Sequence, residues 1–174
     1  MLKLATAALA ALLLSVGTAG AQPAAKLNDA EIAHIAYTAG EIDIRSAQLA
    51  LAKSKNKEVR AFAEDMVRDH KAVNEKALAL VKKLNVTPED NDTSKGLLRQ
   101  ASEKRAELER LSGVDFDKAY AANEVAYHKT VNSALETTLI PSASNAELKE
   151  LLATGLKIFQ GHELHAEHLV EMLR

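Results

Sequence analysis

From residue 28 onward, apolar residues recur every three or four positions, and they nowhere alternate with period two over a convincing length. That is the pattern of amphipathic helices rather than strands. The spacing predicts a first helix that opens at the capping box Asn28-x-x-Glu31 and runs to about Ser54, with Ile32, Ile35, Ala36, Ala39, Ile42, Ser46, Leu49 and Ala50 on its inner stripe. A second begins after Asn56 and continues to Leu84, carrying Val59, Phe62, Ala63, Met66, Val73, Ala77, Leu80, Val81 and Leu84 inward. The turn between them is short enough to make the two antiparallel neighbours.

The polar stretch Asn85 to Ser94, with Pro88 inside it, ends the second helix. A shorter helix follows from about Lys95 to Leu111; its narrow stripe of Leu97, Leu98, Ala101, Leu108 and Leu111 predicts a crossover lying on the others. Ser112-Gly113-Val114-Asp115 is expected to break it, and a long helix from Phe116 to about Ile140 to follow, stopped by Pro141. The last helix is expected to start at the capping box Ser144-x-x-Glu147 and to carry Leu148, Leu151, Leu152, Gly155, Phe159, Ala166 and Leu169 to the C-terminus. At 1.5 Å per residue the crossover helix spans about 25 Å, enough to return the chain to the opposite end. The expectation is therefore an all-α fold, a ferritin-like four-helix bundle with an extra helix in the crossover between the second and third long helices. An up-down-up-down bundle with a helical insertion is the second choice.

Residues 1–21 read as a cleaved signal peptide: Lys3 supplies the positive end, Leu4 to Val16 the apolar run, and Ala19-Gly20-Ala21 the small-x-small cleavage site. Residues 22–27 form a short lead, and 28–174 a single domain. The apolar run falls short of the roughly 20 residues that span a bilayer, so no stable transmembrane anchor is expected after cleavage. The product is expected in the periplasm or secreted.

Composition narrows the chemistry. With no cysteine, disulfides, thiolate zinc sites, iron–sulfur clusters and cysteine nucleophiles are excluded. Charged residues make up 26% at a formal net charge of −2, which favours neither nucleic-acid binding nor charge-driven disorder. No phosphate-binding glycine loop, dinucleotide fingerprint or Gly-x-Ser-x-Gly elbow is present.

The candidates for function are polar residues where an apolar one belongs. Turning each helix at 100° per residue places Asp43 on the buried arc of the first helix, while Glu41 points away. His70 takes the position between Met66 and Val73, Glu124 and His128 lie one turn apart on the third long helix, and His162 joins the Gly155, Phe159, Ala166 stripe. In the ferritin-like arrangement all four helices bring these residues to mid-bundle. His165 is one turn from His162 and could join the layer, whereas His34 and His168 face solvent.

Burying unpaired carboxylate or imidazole is costly, so such a layer is either a hydrogen-bonded network or a metal site. In the network reading Asp43 accepts from the imidazoles, and Tyr120 or Tyr127 completes the bonds. In the metal reading Asp43, His70, Glu124, His128, His162 and His165 are the candidate ligands of a divalent transition metal, zinc, copper, nickel or iron. A di-iron centre would need Glu-x-x-His pairs, but Val67 and Phe159 stand three residues before His70 and His162. Met66 would be a soft ligand for copper, although its place on the apolar stripe makes it plain core.

Phe62-Ala-Glu-Asp-Met-Val-Arg-Asp-His70, Ser112-Gly113 leading to Phe116-Asp-Lys-Ala-Tyr120, His128 two turns on and a late His162 together resemble the exported bacterial domain of unknown function 4142 family. The resemblance covers about residues 28–172. It implies a ferritin-like helical bundle, and its pattern falls on His70, His128 and His162, and on Asp43 where a Glu is more usual. It implies no reaction. The expected function is a non-enzymatic exported bundle connected with metal binding or envelope stress. A metal-dependent redox or hydrolytic enzyme, and a chaperone-like bundle whose crossover helix peels away, are the alternatives. A homo-oligomer or an envelope protein is left open as partner.

Overall fold

The computed structural model describes residues 26–174. The signal peptide expected at residues 1–21 lies outside them. Among the described residues the fold is all-helical, without strands: α1 (Asp29–Lys53), α2 (Lys57–Lys83), α3 (Asp92–Glu109), α4 (Gly113–Ala134), a π-helical turn (Leu135–Leu139), α5 (Ile140–Ser142) and α6 (Ala146–Met172). None of these helices is long and apolar enough to cross a membrane.

Most helix ends lie where local chemistry predicts. Asn28 and Glu31 form the reciprocal capping box, each side chain accepting from the other's backbone N–H at 2.9 Å. Asn56 caps α2 through the N–H groups of Glu58 and Val59. Four boundaries differ. Helix α3 starts three residues before Lys95, because Asn91 and Ser94 form a capping box of their own. Helix α4 starts at Gly113 rather than Phe116; Gly113 sits at φ +56°, a left-handed conformation that glycine adopts without steric penalty. The chain thus turns within Arg110–Ser112.

Pro141 does not end the helix at Ile140. The N–H of Ile140 reaches back five residues to Leu135, and helical structure continues to Ser142. The wider π turn just ahead of the proline gives its ring space that a regular α-turn denies. The last helix is capped by Asn145, not Ser144: its Oδ1 accepts from Leu148 N at 3.0 Å. The backbone N–H groups of Ser144 and Asn145 are both taken by the Asp29 carboxylate, at 2.7 and 2.9 Å, which ties the start of α6 to the start of α1.

Side-chain pairs give the helix directions. Ser46 meets Glu124 and Ala39 meets Tyr127, so α1 and α4 are antiparallel. Phe62 meets His165 and His70 meets Phe159, so α2 and α6 are antiparallel, as are α4 and α6 through Lys129–Glu167 and Glu136–Gln160. Helix α1 packs mainly on α2, and α3 lies along α1. The apolar core divides into two clusters, one built around Phe62, Met66, Phe116, Tyr120 and Leu169, the other around Ile32, Ile35, Leu135, Leu139, Leu148 and Leu152. A polar layer lies between them.

Candidate metal centre

Each of the four long helices contributes to that layer. Asp43, His70, Glu124, His128 and His162 are all buried although every one is polar. One ligand atom from each of His70, His128 and His162 lies within 4.8 Å of the others, and the same holds for Asp43, Glu124 and His128. The rings of the three histidines are 5.4 to 5.8 Å apart by centroid. Asp43 is central, its Oδ2 3.2 Å from His70 Nε2 and 3.3 Å from His128 Nε2.

These short distances are not hydrogen bonds. Both oxygens of Asp43, both nitrogens of His70, His128 Nε2, His162 Nδ1 and Glu124 Oε2 are buried without a hydrogen-bond partner. For His128 and His162 the tautomers explain why. His128 Nδ1 is 2.9 Å from the carbonyl oxygen of Glu124, which can only accept, so the ring proton is there and Nε2 carries the lone pair. His162 Nε2 is 3.0 Å from Asp69 Oδ2 and donates to it, which leaves Nδ1 as the free acceptor. His70 is held by stacking instead, its ring 4.4 Å from that of Phe159 and within 4° of parallel. Fixing one imidazole nitrogen through a carbonyl or carboxylate, so that the other presents its lone pair, is how proteins orient metal-ligating histidines.

Electrostatics keep the protons away. Burial pushes His128 below the usual histidine range, and it takes His162 to about 4, with His70 and His128 adding to the effect against the raising influence of Asp69. For Asp43 burial alone would raise the pKa, but the neighbouring His70, His128 and His162 outweigh it and hold the carboxyl below its ordinary value. Glu124 goes the other way: burial, reinforced by Asp43, keeps it protonated well above the usual carboxyl range, while it accepts from Ser46 Oγ at 2.7 Å. The lone pairs of His128 Nε2 and His162 Nδ1 therefore share a dry interior with the Asp43 carboxylate. Acceptors opposed in this way repel one another, and a cation between them reverses the sign.

Of the residues singled out from the sequence, Asp43, His70, Glu124, His128 and His162 lie together in this layer, and His165 does not. His165 stands apart from the cluster and packs edge-on against Phe62, ring centroids 5.0 Å apart. Its direction explains this: one turn beyond His162 it faces the apolar cluster of Phe62 and Met66. Met66 itself is fully buried in that cluster, as plain core. The tyrosines do not complete an internal network either, since Tyr127 donates to the Ala39 carbonyl at 2.8 Å and the Tyr120 hydroxyl has no partner.

A family model matches residues 14–169, nearly the whole length of the chain. The chain belongs to the family described as Domain of unknown function (DUF4142). No curated protein and no solved structure matches it.

Four features of this DUF4142 chain depart from or add to the sequence expectation. Asp69, which orients His162, is three residues from Met66 and seven from Phe62, on the same inner arc, and that spacing was the available signal. Glu41, expected to point away, is half-buried and accepts from Asn74 Nδ2 at 3.1 Å across the α1–α2 seam. Asn132, also buried, donates to Glu163 at 2.7 Å. His34 is half-buried rather than solvent-facing.

Proposed function

We propose that this DUF4142 protein is an exported, ferritin-like helical bundle that holds one divalent transition-metal ion through Asp43, His70, His128 and His162. The observation that carries the reading is the group of buried, unpartnered donor atoms on these four residues, two of whose imidazoles are fixed with a lone pair turned away from their hydrogen-bonded nitrogen. Three imidazoles and one carboxylate suit zinc, copper, nickel or iron(II), and none of the three histidines follows a Glu by three residues, which argues against a carboxylate-bridged di-iron oxidase. The ferritin-like layout is supported by the antiparallel pairings of α2 with α6 and of α4 with α6, which make α2 and α4 run the same way. Helix α3 then returns the chain to the starting end. The reading of export rests on the charged, apolar and small-residue pattern of residues 1–21, with the periplasm or the exterior as the destination.

Elemental analysis of the protein purified from its native compartment, beside a His70→Ala/His162→Ala variant, tests the site. The expected result is near one equivalent of a single metal in the wild type and a loss of at least tenfold in the variant. Equal, substoichiometric metal in both would refute it.

A further inference from the structure

The two apolar clusters on either side of the polar layer are not packed alike. On the Phe62 side the large side chains of Phe62, Met66, Phe116, Tyr120 and Leu169 are fully buried together with Ala47, Ala50, Ala63, Ala121 and Ala166. On the other side the four long helices enclose a cavity of about 320 Å³. Small residues line it from every helix: Ala36 and Ala39 on α1, Ala77 on α2, Ala134 on α4 and Gly155 on α6. Protein interiors are close-packed with few voids larger than a water molecule, and leucine at these positions would fill the space. The volume lies at the small end of the roughly 300–1,000 Å³ usual for ligand pockets.

The cavity's polar end is specific. It is lined by His70 and His128, which are 2% and 1% exposed, and His70 Nδ1 and Nε2 and His128 Nε2 have no hydrogen-bond partner. The carboxylates of Asp43 and Glu124 do not line it. They border a separate cavity of about 390 Å³ between α1, α3 and α4. An ion held in the layer would therefore have its carboxylate ligand on the α3 side and the imidazoles of His70 and His128 toward the apolar cavity. Beyond the four protein ligands, a fifth donor that complements a divalent ion on that side is an anionic oxygen, and the space behind it is lined mainly by apolar side chains, with Thr93, Thr130 and Thr138 among them.

We propose that the apolar cavity binds a small aliphatic carboxylate, whose chain lies among Ala36, Ala39, Ala77, Ala134 and Gly155 and whose carboxylate oxygen coordinates the metal ion beside His70 and His128. This inference rests on the metal reading above. It assigns the ion a ligand-holding role and gives the small residues of all four helices a common purpose.

Octanoate is the probe, and calorimetric titration of the zinc-loaded full-length protein is the measurement. One octanoate per zinc is expected, with binding at least tenfold weaker for octanol and at least tenfold weaker after chelation. In protein loaded with cobalt(II), octanoate should shift the visible absorption, because it enters the coordination sphere. Ala77→Leu and Ala134→Leu, made separately, should retain one equivalent of zinc and lose octanoate binding by at least tenfold. Zinc bound at one equivalent with no octanoate uptake would overturn this proposal and leave the metal site standing. Equal binding of octanol, or undiminished octanoate binding in both leucine variants, would also overturn it. Failure of the wild type to take up zinc would remove the metal reading and this inference together.

Discussion

Replacing Asp43 by leucine and His70 by phenylalanine in the same chain separates a metal site from a structural network. The double substitution removes four buried polar atoms, both carboxylate oxygens and both ring nitrogens, that make no hydrogen bond. An unsatisfied buried group costs about 1–3 kcal/mol, so even at the low end their removal stabilises the metal-free fold by about 4 kcal/mol. Against that stands overpacking, which costs about 1–2 kcal/mol where neighbours must shift. Here it is limited, because Asp43 borders one cavity and His70 the other, and a phenylalanine can keep the stack on Phe159. The net gain of about 2–3 kcal/mol corresponds to a rise of roughly 5–10 °C in Tm for a chain of this size. Calorimetric melting in chelator reads it directly. Zinc at a hundred times its Kd should stabilise the wild type by about 2.7 kcal/mol and leave the variant unchanged, so the order of the two proteins narrows or reverses on adding metal. A variant that melts below the wild type in chelator would refute the reasoning, since Asp43 and His70 would then be held by bonds worth keeping.

Asp69→Asn should weaken zinc binding about 10–100-fold with stoichiometry unchanged, because the lost charge loosens the hold on His162 Nε2–H; competition against a chromophoric chelator measures it. The metal-free protein should lose stability in acid. His162 has a folded pKa of about 4 against about 6.5 unfolded, so the unfolded chain binds the extra proton first, and up to about 3 kcal/mol is lost as pH falls from 6.5 through 4. His128, shifted in the same direction, adds to the loss, and urea titrations at pH 7 and 4.5 would show it. Gly40→Ala should destabilise by about 1–3 kcal/mol, because the new Cβ would lie 2.3 Å from Asn74 Oδ1 and displace the side chain that bridges to Glu41; a thermal melt reads the change. Asp29→Ala removes the acceptor for two backbone N–H groups and should cost about 1–3 kcal/mol by the same measurement.

Helix existence and the inward faces were legible because a 3.6-residue period survives in the one-dimensional pattern. Asn28, Asn56 and Pro88 marked ends by local chemistry alone, and so did the buried positions of Asp43, His70, His128 and His162. The failures share one cause. Asn145 rather than Ser144 caps α6 because Asp29, distant in sequence, takes the Ser144 N–H, and the helix continues past Pro141 because the backbone widens into a π turn. His165 has the same local spacing as a ligand, yet faces Phe62.

What the amino-acid sequence determined by itself is therefore the set of helices, their buried arcs and the absence of thiolate ligands, all properties of one residue and its neighbours within a turn or two. Only the tertiary structure decided that Asp43 lies between two imidazoles, that Asp69 orients the third, and that Asp43 borders one cavity and His70 another. Those facts depend on rotation and height of four helices against each other, to within an ångström or two, and periodicity specifies a face but not the distance to what it meets.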